Sequence, residues 1–136
     1  SQNALCDCNP MIERPIDKMM MDFRASSDAK EKLKISTGVK NAVLGEINGY
    51  RESPPDPATL TDWQDGAACR QFPEVMFQEK GERWAAELAK RACGACVVQD
   101  ACQELALSDK AVAPFGIWGN MSERERRAHF RRRKAA

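Results

Sequence analysis

Four cysteines within 34 residues constrain this chain of 136 residues more than any other feature. Cys69, Cys93, Cys96 and Cys102 follow the spacing C-x23-C-x2-C-x5-C, and Cys6 and Cys8 stand apart near the N-terminus. The first residues lack the charged and apolar segments of a secretory signal. We therefore expect a cytoplasmic protein, in which disulfides are rare and clustered cysteines more often bind metal or carry out redox chemistry.

The composition limits the size of the hydrophobic core. The chain has five Phe, three Trp and one Tyr, and no apolar run approaches the ~20 residues that span a bilayer. A membrane protein is therefore excluded. A small domain with so few large apolar residues generally needs a disulfide or a metal to fold stably, and the clustered cysteines are the candidate for that role.

The Pro-rich segment Ser53–Pro57 predicts a boundary, because proline lacks an amide donor and restricts the residue before it. Residues 1–58 are predicted to be a weakly structured N-terminal arm. In it, a helix over Asp28–Ile35 is interrupted at Ser36–Gly38, and a second short helix covers Val39–Ile47. Cys6 and Cys8 in this arm are expected to be a free pair.

Helix signals become frequent after the boundary. Capping boxes at Thr61–Gln64 and Ser122–Glu125 predict two helix starts, the second helix running to Arg133. Apolar residues at helical spacing predict helices over Glu82–Ala92 and Val98–Leu107. No alternating strand pattern occurs. We predict an all-α fold of about four short helices, with a cysteine domain over 59–120 and a basic tail over 121–136.

The spacing leaves the chemistry of the cysteines open. Cys93 and Cys96 form a C-x2-C pair that can wrap one metal centre, and four thiolates suit zinc or an iron–sulfur cluster equally well. A structural zinc ribbon usually has two such pairs, and only one is present. The alternatives are a structural zinc module that binds DNA and a protein disulfide reductase that uses Cys93 and Cys96.

Several motifs in the second half of the chain occur in the order of a known family. Cys69-Arg70 precedes Phe72-Pro73-Glu74-Val75-Met76-Phe77, and Ala89–Cys102 reads AKRACGACVVQDAC. Phe115-Gly116-Ile117-Trp118-Gly119-Asn120 is followed by MSERERR. The stretch from Trp63 onward resembles the WhiB-like family of iron–sulfur transcription regulators. Val97 replaces a usual proline, Asn120 a usual glycine, and Met76 a usual aromatic residue. Asn tolerates left-handed backbone angles, so we expect the turn at Asn120 to be kept.

The resemblance implies a [4Fe-4S] cluster held by Cys69, Cys93, Cys96 and Cys102. In the family the cluster responds to oxygen or nitric oxide, and its loss can leave a disulfide-linked apo-protein. The resemblance further implies binding to the C-terminal domain of the principal sigma factor of RNA polymerase. We therefore expect a redox-responsive transcription regulator, with no enzymatic activity and no small-molecule substrate.

The resemblance also points to residues that contact sigma. Trp118 is expected to anchor a partner helix, since tryptophan is enriched at binding hot spots, and this role does not exclude a core position. The other residues expected at this surface are Phe72, Phe77, Phe115, Gly116 and Gly119.

The net charge of +1 conceals an uneven distribution. From Met121 onward seven Arg and Lys stand against two Glu, a net +5, and the first 120 residues carry 14 basic and 18 acidic side chains, a net −4. Arginine density of this kind suits contacts with DNA phosphates. The predicted DNA-binding residues are Arg126, Arg127, Arg131, Arg132, Arg133 and Lys134.

Overall fold

The computed structural model describes residues 14–135, so Cys6, Cys8 and the predictions made for them lie outside the described residues. Six α-helices form the fold: α1 (Pro15–Ala25), α2 (Ala29–Glu52), α3 (Pro73–Met76), α4 (Arg83–Ala95), α5 (Gln99–Ala106) and α6 (Glu123–Ala135). Two 3-10 turns, Pro57–Thr59 and Trp63–Gly66, join α2 to α3. Between residues 14 and 135 there is an isolated bridge but no strand, which confirms the all-α class. None of the helices in this range is long and apolar enough to cross a membrane.

Helix α2 is a single helix of 24 residues, so the interruption predicted at Ser36–Gly38 is wrong. The hydroxyls of Ser36 and Thr37 donate back to the carbonyl oxygen of Leu33, both at 2.9 Å, and therefore do not compete with the helix. Val39, Val43 and Ile47, which are spaced four residues apart, are buried. Burial of this apolar face outweighs the poor helix propensity of the Ser-Thr-Gly sequence.

Helices α1 and α2 form a hairpin that packs on the cysteine domain. Ile16, Met20 and Phe23 of α1 are buried, and the helix contacts both α2 and α3. A Cβ at Gly38 would lie 3.0 Å from Cε of Met19, so this glycine allows α1 to approach α2 closely. Residues 15–52 of the predicted arm are therefore two packed helices, one of them long, and not short helical pieces.

Arg24 at the end of α1 attaches the hairpin to the rest of the domain. Its guanidinium donates to both carboxylate oxygens of Glu82 and to one of Glu74, each at 2.9 Å. It also donates to the carbonyl oxygens of Glu74 and Phe77, at 3.2 and 2.9 Å. Burial acts to raise the pKa of Glu82, but the hydrogen bonds from Arg24 outweigh it and the pKa lies below its ordinary value.

The helices of the second half lie close to their predicted positions. Ser122 and Glu125 form the predicted capping box of α6: each side chain accepts a hydrogen bond at 3.2 Å from the backbone N–H of the other. The capping residue predicted at Thr61 is wrong. The turn is a 3-10 turn that starts at Trp63, one residue later than predicted, so Asp62 is its N-cap. The carboxylate of Asp62 accepts from the N–H of Gln64 at 3.0 Å.

Candidate metal centre

The four clustered cysteines line one cavity. Cys69 lies in the turn before α3, Cys93 in the last turn of α4, Cys96 directly after α4, and Cys102 inside α5. None of these four cysteines is in a disulfide; Cys96 is half-buried and the other three are buried. The cavity is lined by Ala67, Ala68, Cys69, Ala92, Cys93, Cys96, Val98, Gln99, Cys102 and Gly119. The structure thus brings together the four cysteines that the sequence predicted as metal ligands.

Local backbone geometry places Cys93 and Cys96 on the same side of the chain. Helix α4 ends at Ala95, and the N–H of Cys96 donates to the carbonyl oxygen of Cys93 at 3.1 Å. The first turn of α5 then begins, in which the N–H of Cys102 donates to the carbonyl oxygen of Val98 at 3.0 Å. A helix end followed by a tight turn and a new helix therefore puts three of the thiols on one wall.

Burial disfavours the thiolate forms of these cysteines in the metal-free chain. Desolvation raises the pKa of Cys93 to about 11 and that of Cys102 to about 12, and the charges of neighbouring cysteines add to the effect. Hydrogen bonds from the backbone of Asn120 to Cys93 and of Gly119 to Cys102 act in the opposite direction. A bound cationic metal centre would offset the cost of four thiolates here, since metal ligation deprotonates thiols.

Four thiols are the donor set of a structural zinc site or of an iron–sulfur cluster. Between residues 14 and 135, no three His, Cys, Asp or Glu side chains are grouped as they would be around one metal ion.

The turn over residues 116–120 closes one side of the cavity. Gly116, Gly119 and Asn120 have positive φ angles of 79°, 57° and 65°, which confirms that Asn120 keeps the turn. A Cβ at Gly119 would lie 2.5–2.6 Å from backbone and side-chain atoms of Gln103 in α5. Because Gly119 has no side chain, the turn packs directly against α5, and its backbone N–H groups lie beside Cys93 and Cys102.

Trp118 is a core residue. Its side chain is 1% exposed, and its Nε1 donates to the carbonyl oxygen of Phe115 at 2.9 Å. Trp118 therefore has the core position that the sequence allowed for it. It closes the turn with Met121, since each backbone N–H of this pair donates to the other's carbonyl oxygen.

The other residues predicted at the sigma surface divide by exposure. Phe72 is fully buried, and Phe77 is half-buried and packs against the core. Gly116 and Gly119 are buried; Gly116 packs closely against Phe77, and Gly119 against Gln103. Phe115 is 50% exposed, and Val112 nearby in sequence is also exposed. Only Phe115 among the six predicted residues thus offers an open apolar side chain.

Arg126, which the sequence predicts as a DNA contact, is buried in the structure. Its guanidinium donates to the carbonyl oxygens of Ala113 at 3.1 Å, Gly116 at 2.7 Å and Met121 at 2.6 Å. Arginine presents five N–H donors in a fixed fork, so one side chain can satisfy several carbonyl groups of an irregular loop. Sequence counting alone could not separate this arginine from its neighbours in α6.

The remaining basic residues of α6 are exposed, and some of them share a cleft. Arg127, Arg131 and Lys134 recur at helical spacing and line an open cleft with Phe130 and with Lys110 from the preceding loop. Arg132 and Arg133 are exposed on the same helix but do not line the cleft. Sequence reasoning missed Lys110 and Phe130; the i, i+3, i+4 spacing of Phe130 with Arg127 and Arg131 was the available signal.

Residues 63–129 match the model of a protein family described as Transcription factor WhiB. The chain is 46% identical over 77 residues to the transcriptional regulator WhiB2 of Mycobacterium tuberculosis, covering 56% of this chain and 82% of that one. It is 48% identical over 75 residues to WhiB of Streptomyces coelicolor (54% and 78% of the two chains). WhiD of S. coelicolor is 39% identical over 83 residues (57% and 72%). No solved structure gives a significant match.

Proposed function

Because the chain belongs to the WhiB family of transcriptional regulators, we propose that it regulates transcription through a [4Fe-4S] cluster held by Cys69, Cys93, Cys96 and Cys102. The observation that carries the proposal is that all four thiols line one cavity. A bound cluster supplies a redox-sensitive centre that can react with oxygen or nitric oxide. The turn over 116–120 adds backbone N–H donors to Cys93 and Cys102, the kind of contact that tunes such centres.

Anaerobic purification tests the cluster directly. The full chain should be brown, with about four irons per chain, and Cys69→Ser, Cys93→Ser, Cys96→Ser and Cys102→Ser should each lose most of the iron. Within the described part of the chain all four cysteines are accounted for by the site, so no fifth thiol there can substitute. A colourless protein that contains zinc would support the structural zinc module instead and would overturn the proposal.

The raised thiol pKa values count against the disulfide reductase alternative. A nucleophilic cysteine usually has a lowered pKa and partial exposure, whereas Cys93 is buried and its pKa is raised to about 11. Turnover of a disulfide substrate by the iron-free protein, lost in Cys93→Ser, would support the reductase function. We expect no such turnover.

The proposed partner is the C-terminal domain of the principal sigma factor, and exposed Phe115 is its proposed apolar contact. Trp118 donates to the carbonyl oxygen of Phe115 and therefore holds this segment in place from within the core. Phe115→Ala should weaken sigma binding without loss of iron. Leu33→Ala is the matched control, because Leu33 is 65% exposed on α2, and it should leave sigma binding unchanged. Equal binding by both variants and the wild type would overturn the proposed contact.

The basic cleft is the proposed contact with DNA phosphates. Two double variants of α6 remove the same charge from the same helix: Arg127→Gln with Arg131→Gln in the cleft, and Arg132→Gln with Arg133→Gln outside it. Each phosphate contact contributes about one unit to the salt dependence of binding. The cleft pair should therefore reduce the slope by up to about two units and the other pair by less. Equal loss from both pairs would show that net charge, and not the cleft, determines DNA affinity.

A further inference from the structure

Tyr50 connects the N-terminal hairpin to two of the segments that hold the cysteines. Its hydroxyl donates to the carbonyl oxygen of Gly66 at 2.7 Å and accepts from the N–H of Val97 at 3.0 Å. Gly66 lies three residues before Cys69, and Val97 directly follows Cys96. One side chain from α2, outside the 63–129 segment that matches the family, thus joins the loops on either side of the site.

Tyr50 also lies beside the most accessible of the four thiols. Cys96 is half-buried, whereas the other three cysteines are buried. Burial raises the pKa of Tyr50 to about 12. The hydroxyl accepts from the N–H of Val97 and therefore lies beside the residue that directly follows Cys96.

A surface cleft places Tyr50 between solvent and the cysteine cavity. The cleft has a volume of about 280 Å³ and includes Tyr50, Gly66, Ala67 and Ala68 in its wall. Ala67 and Ala68 also line the cysteine cavity. The wall that separates open solvent from the cavity on this side is therefore thin, and the loop that forms it is fixed by the hydrogen bond from Tyr50 to Gly66.

We infer that Tyr50 is a positioning residue for the metal centre: its hydroxyl joins the Cys69 and Cys96 loops by donating to Gly66 and accepting from Val97, and its side chain closes the solvent-facing side of the site. The inference rests on the proposed function, because it assigns a role toward the cluster. It gives the N-terminal hairpin, which the family segment does not include, a part in retaining the cluster. This fixed loop would slow the passage of small oxidants from the cleft to the metal centre.

Tyr50→Phe tests the inference, because it removes the hydroxyl and keeps the ring. Thr37→Val is the matched control: it removes an exposed hydroxyl from the same helix, and that hydroxyl bonds only to Leu33 of its own helix. The full chain is loaded anaerobically, iron is measured, and the decay of the visible absorption is followed after mixing with air-saturated buffer. Tyr50→Phe should keep its iron but lose the cluster at least about fivefold faster, the change expected from the two lost hydrogen bonds.

The midpoint potential of the cluster separates a direct role from a merely structural one. Hydrogen bonding around the ligands and solvent exposure both set the potential of an iron–sulfur centre, so Tyr50→Phe, which frees the Cys96 loop, should have a potential different from that of the wild type and Thr37→Val should not. A loss rate and a potential equal to those of the wild type would overturn the inference and leave the proposed function intact. A wild-type chain that binds no iron would overturn the proposed function, and the inference with it.

If Tyr50→Phe takes up no iron, the stability of the iron-free protein shows whether Tyr50 positions the cysteines or only stabilises the fold. Helix content and urea midpoint of the iron-free variant are compared with those of the iron-free wild type. Unchanged values would support a role in positioning the cysteines. A collapse of both values would mean that Tyr50 serves only the fold, and would overturn the inference.

Discussion

The guanidinium of Arg126 donates to the carbonyl oxygen of Gly116 at 2.7 Å, from the first turns of α6 into the loop that precedes Trp118. The same side chain reaches Ala113 and Met121. It therefore fixes both ends of the 116–120 turn, whose N–H groups point to Cys93 and Cys102. An arginine in a basic helix thus contributes to the metal site through the loop that it holds.

Arg126→Gln should destabilise the protein, whereas Arg131→Gln should not. The first change leaves three carbonyl groups without their donor, two of these hydrogen bonds being buried, and should cost about 3 kcal/mol. Arg131 is exposed and serves as control in the same helix. Urea unfolding of the two variants, prepared anaerobically, provides the measurement. Equal midpoints would contradict the structural role of Arg126.

Gly119→Ala should reduce iron retention. The new Cβ would lie 2.5 Å from the Cα of Gln103, and the backbone has a φ of 57°, which alanine rarely adopts. The turn would have to move away from α5, and its N–H groups would move away from the cysteines. The iron content after anaerobic gel filtration should fall by half or more, on the order of the shift expected from 1–3 kcal/mol of strain.

Gly94→Ala is the control for this glycine substitution. Gly94 lies in α4 between two of the cysteines, and nothing lies within 4 Å of a Cβ placed there. Alanine is the better helix former by about 0.8–1.0 kcal/mol, so this variant should retain its iron and unfold at a slightly higher temperature. Loss of iron from Gly94→Ala to the same extent as from Gly119→Ala would make the proposed steric explanation untenable.

Arg24→Met should separate the N-terminal hairpin from the domain. It would leave the carboxylate of Glu82, only 4% exposed, without its partner, and removing one member of a buried ion pair costs about 3–5 kcal/mol. Lys18→Met, which breaks an exposed ion pair with Asp22, should cost less than about 1 kcal/mol. Limited proteolysis between α2 and α3 should be faster in Arg24→Met alone. A stability equal to that of Lys18→Met would contradict this role for Arg24.

Asp17→Asn should alter the pH dependence of stability. Burial raises the pKa of Asp17 from 3.8 to about 6, and its carboxylate accepts from the N–H of Glu74 at 3.1 Å, which an asparagine oxygen can also do. The folded state therefore holds this proton more tightly than the unfolded state, so the stability contributed by Asp17 falls as pH rises from about 4 to 6. The advantage of Asp17→Asn over the wild type should grow across that range and stay constant above it. Unfolding curves at several pH values test this; a constant difference would contradict it.

The elements of the second half could be predicted because their signals are local. The capping pair of Ser122 and Glu125 and the apolar spacing along α4 involve residues within two turns of each other, and both are confirmed. Asn120 was expected to adopt a left-handed conformation for the same local reason. The cysteine spacing likewise predicted which thiols meet, since three of the four lie within ten residues.

The features that the sequence did not predict belong to residues whose roles depend on distant parts of the chain. The continuity of α2 through Ser36–Gly38 depends on apolar residues of α1 and α4 that cover its buried face. Arg126 differs from its neighbours only because loop carbonyls lie opposite it. Tyr50 reaches its partners across 16 and 47 residues of sequence. No pattern within a short window contains these contacts, so they required the folded structure.

The closing turn has a consequence for the order in which the site can be completed. A ribosome translates all four cysteines before it reaches Gly119 and Asn120, and Arg126 follows later still. A nascent or truncated chain that stops before this turn would hold every ligand but lack one wall of the cavity and two N–H donors. If the proposed cluster is bound, such a chain should take up iron but lose it quickly. Loss of a short segment after the last cysteine would then shorten the lifetime of the cluster.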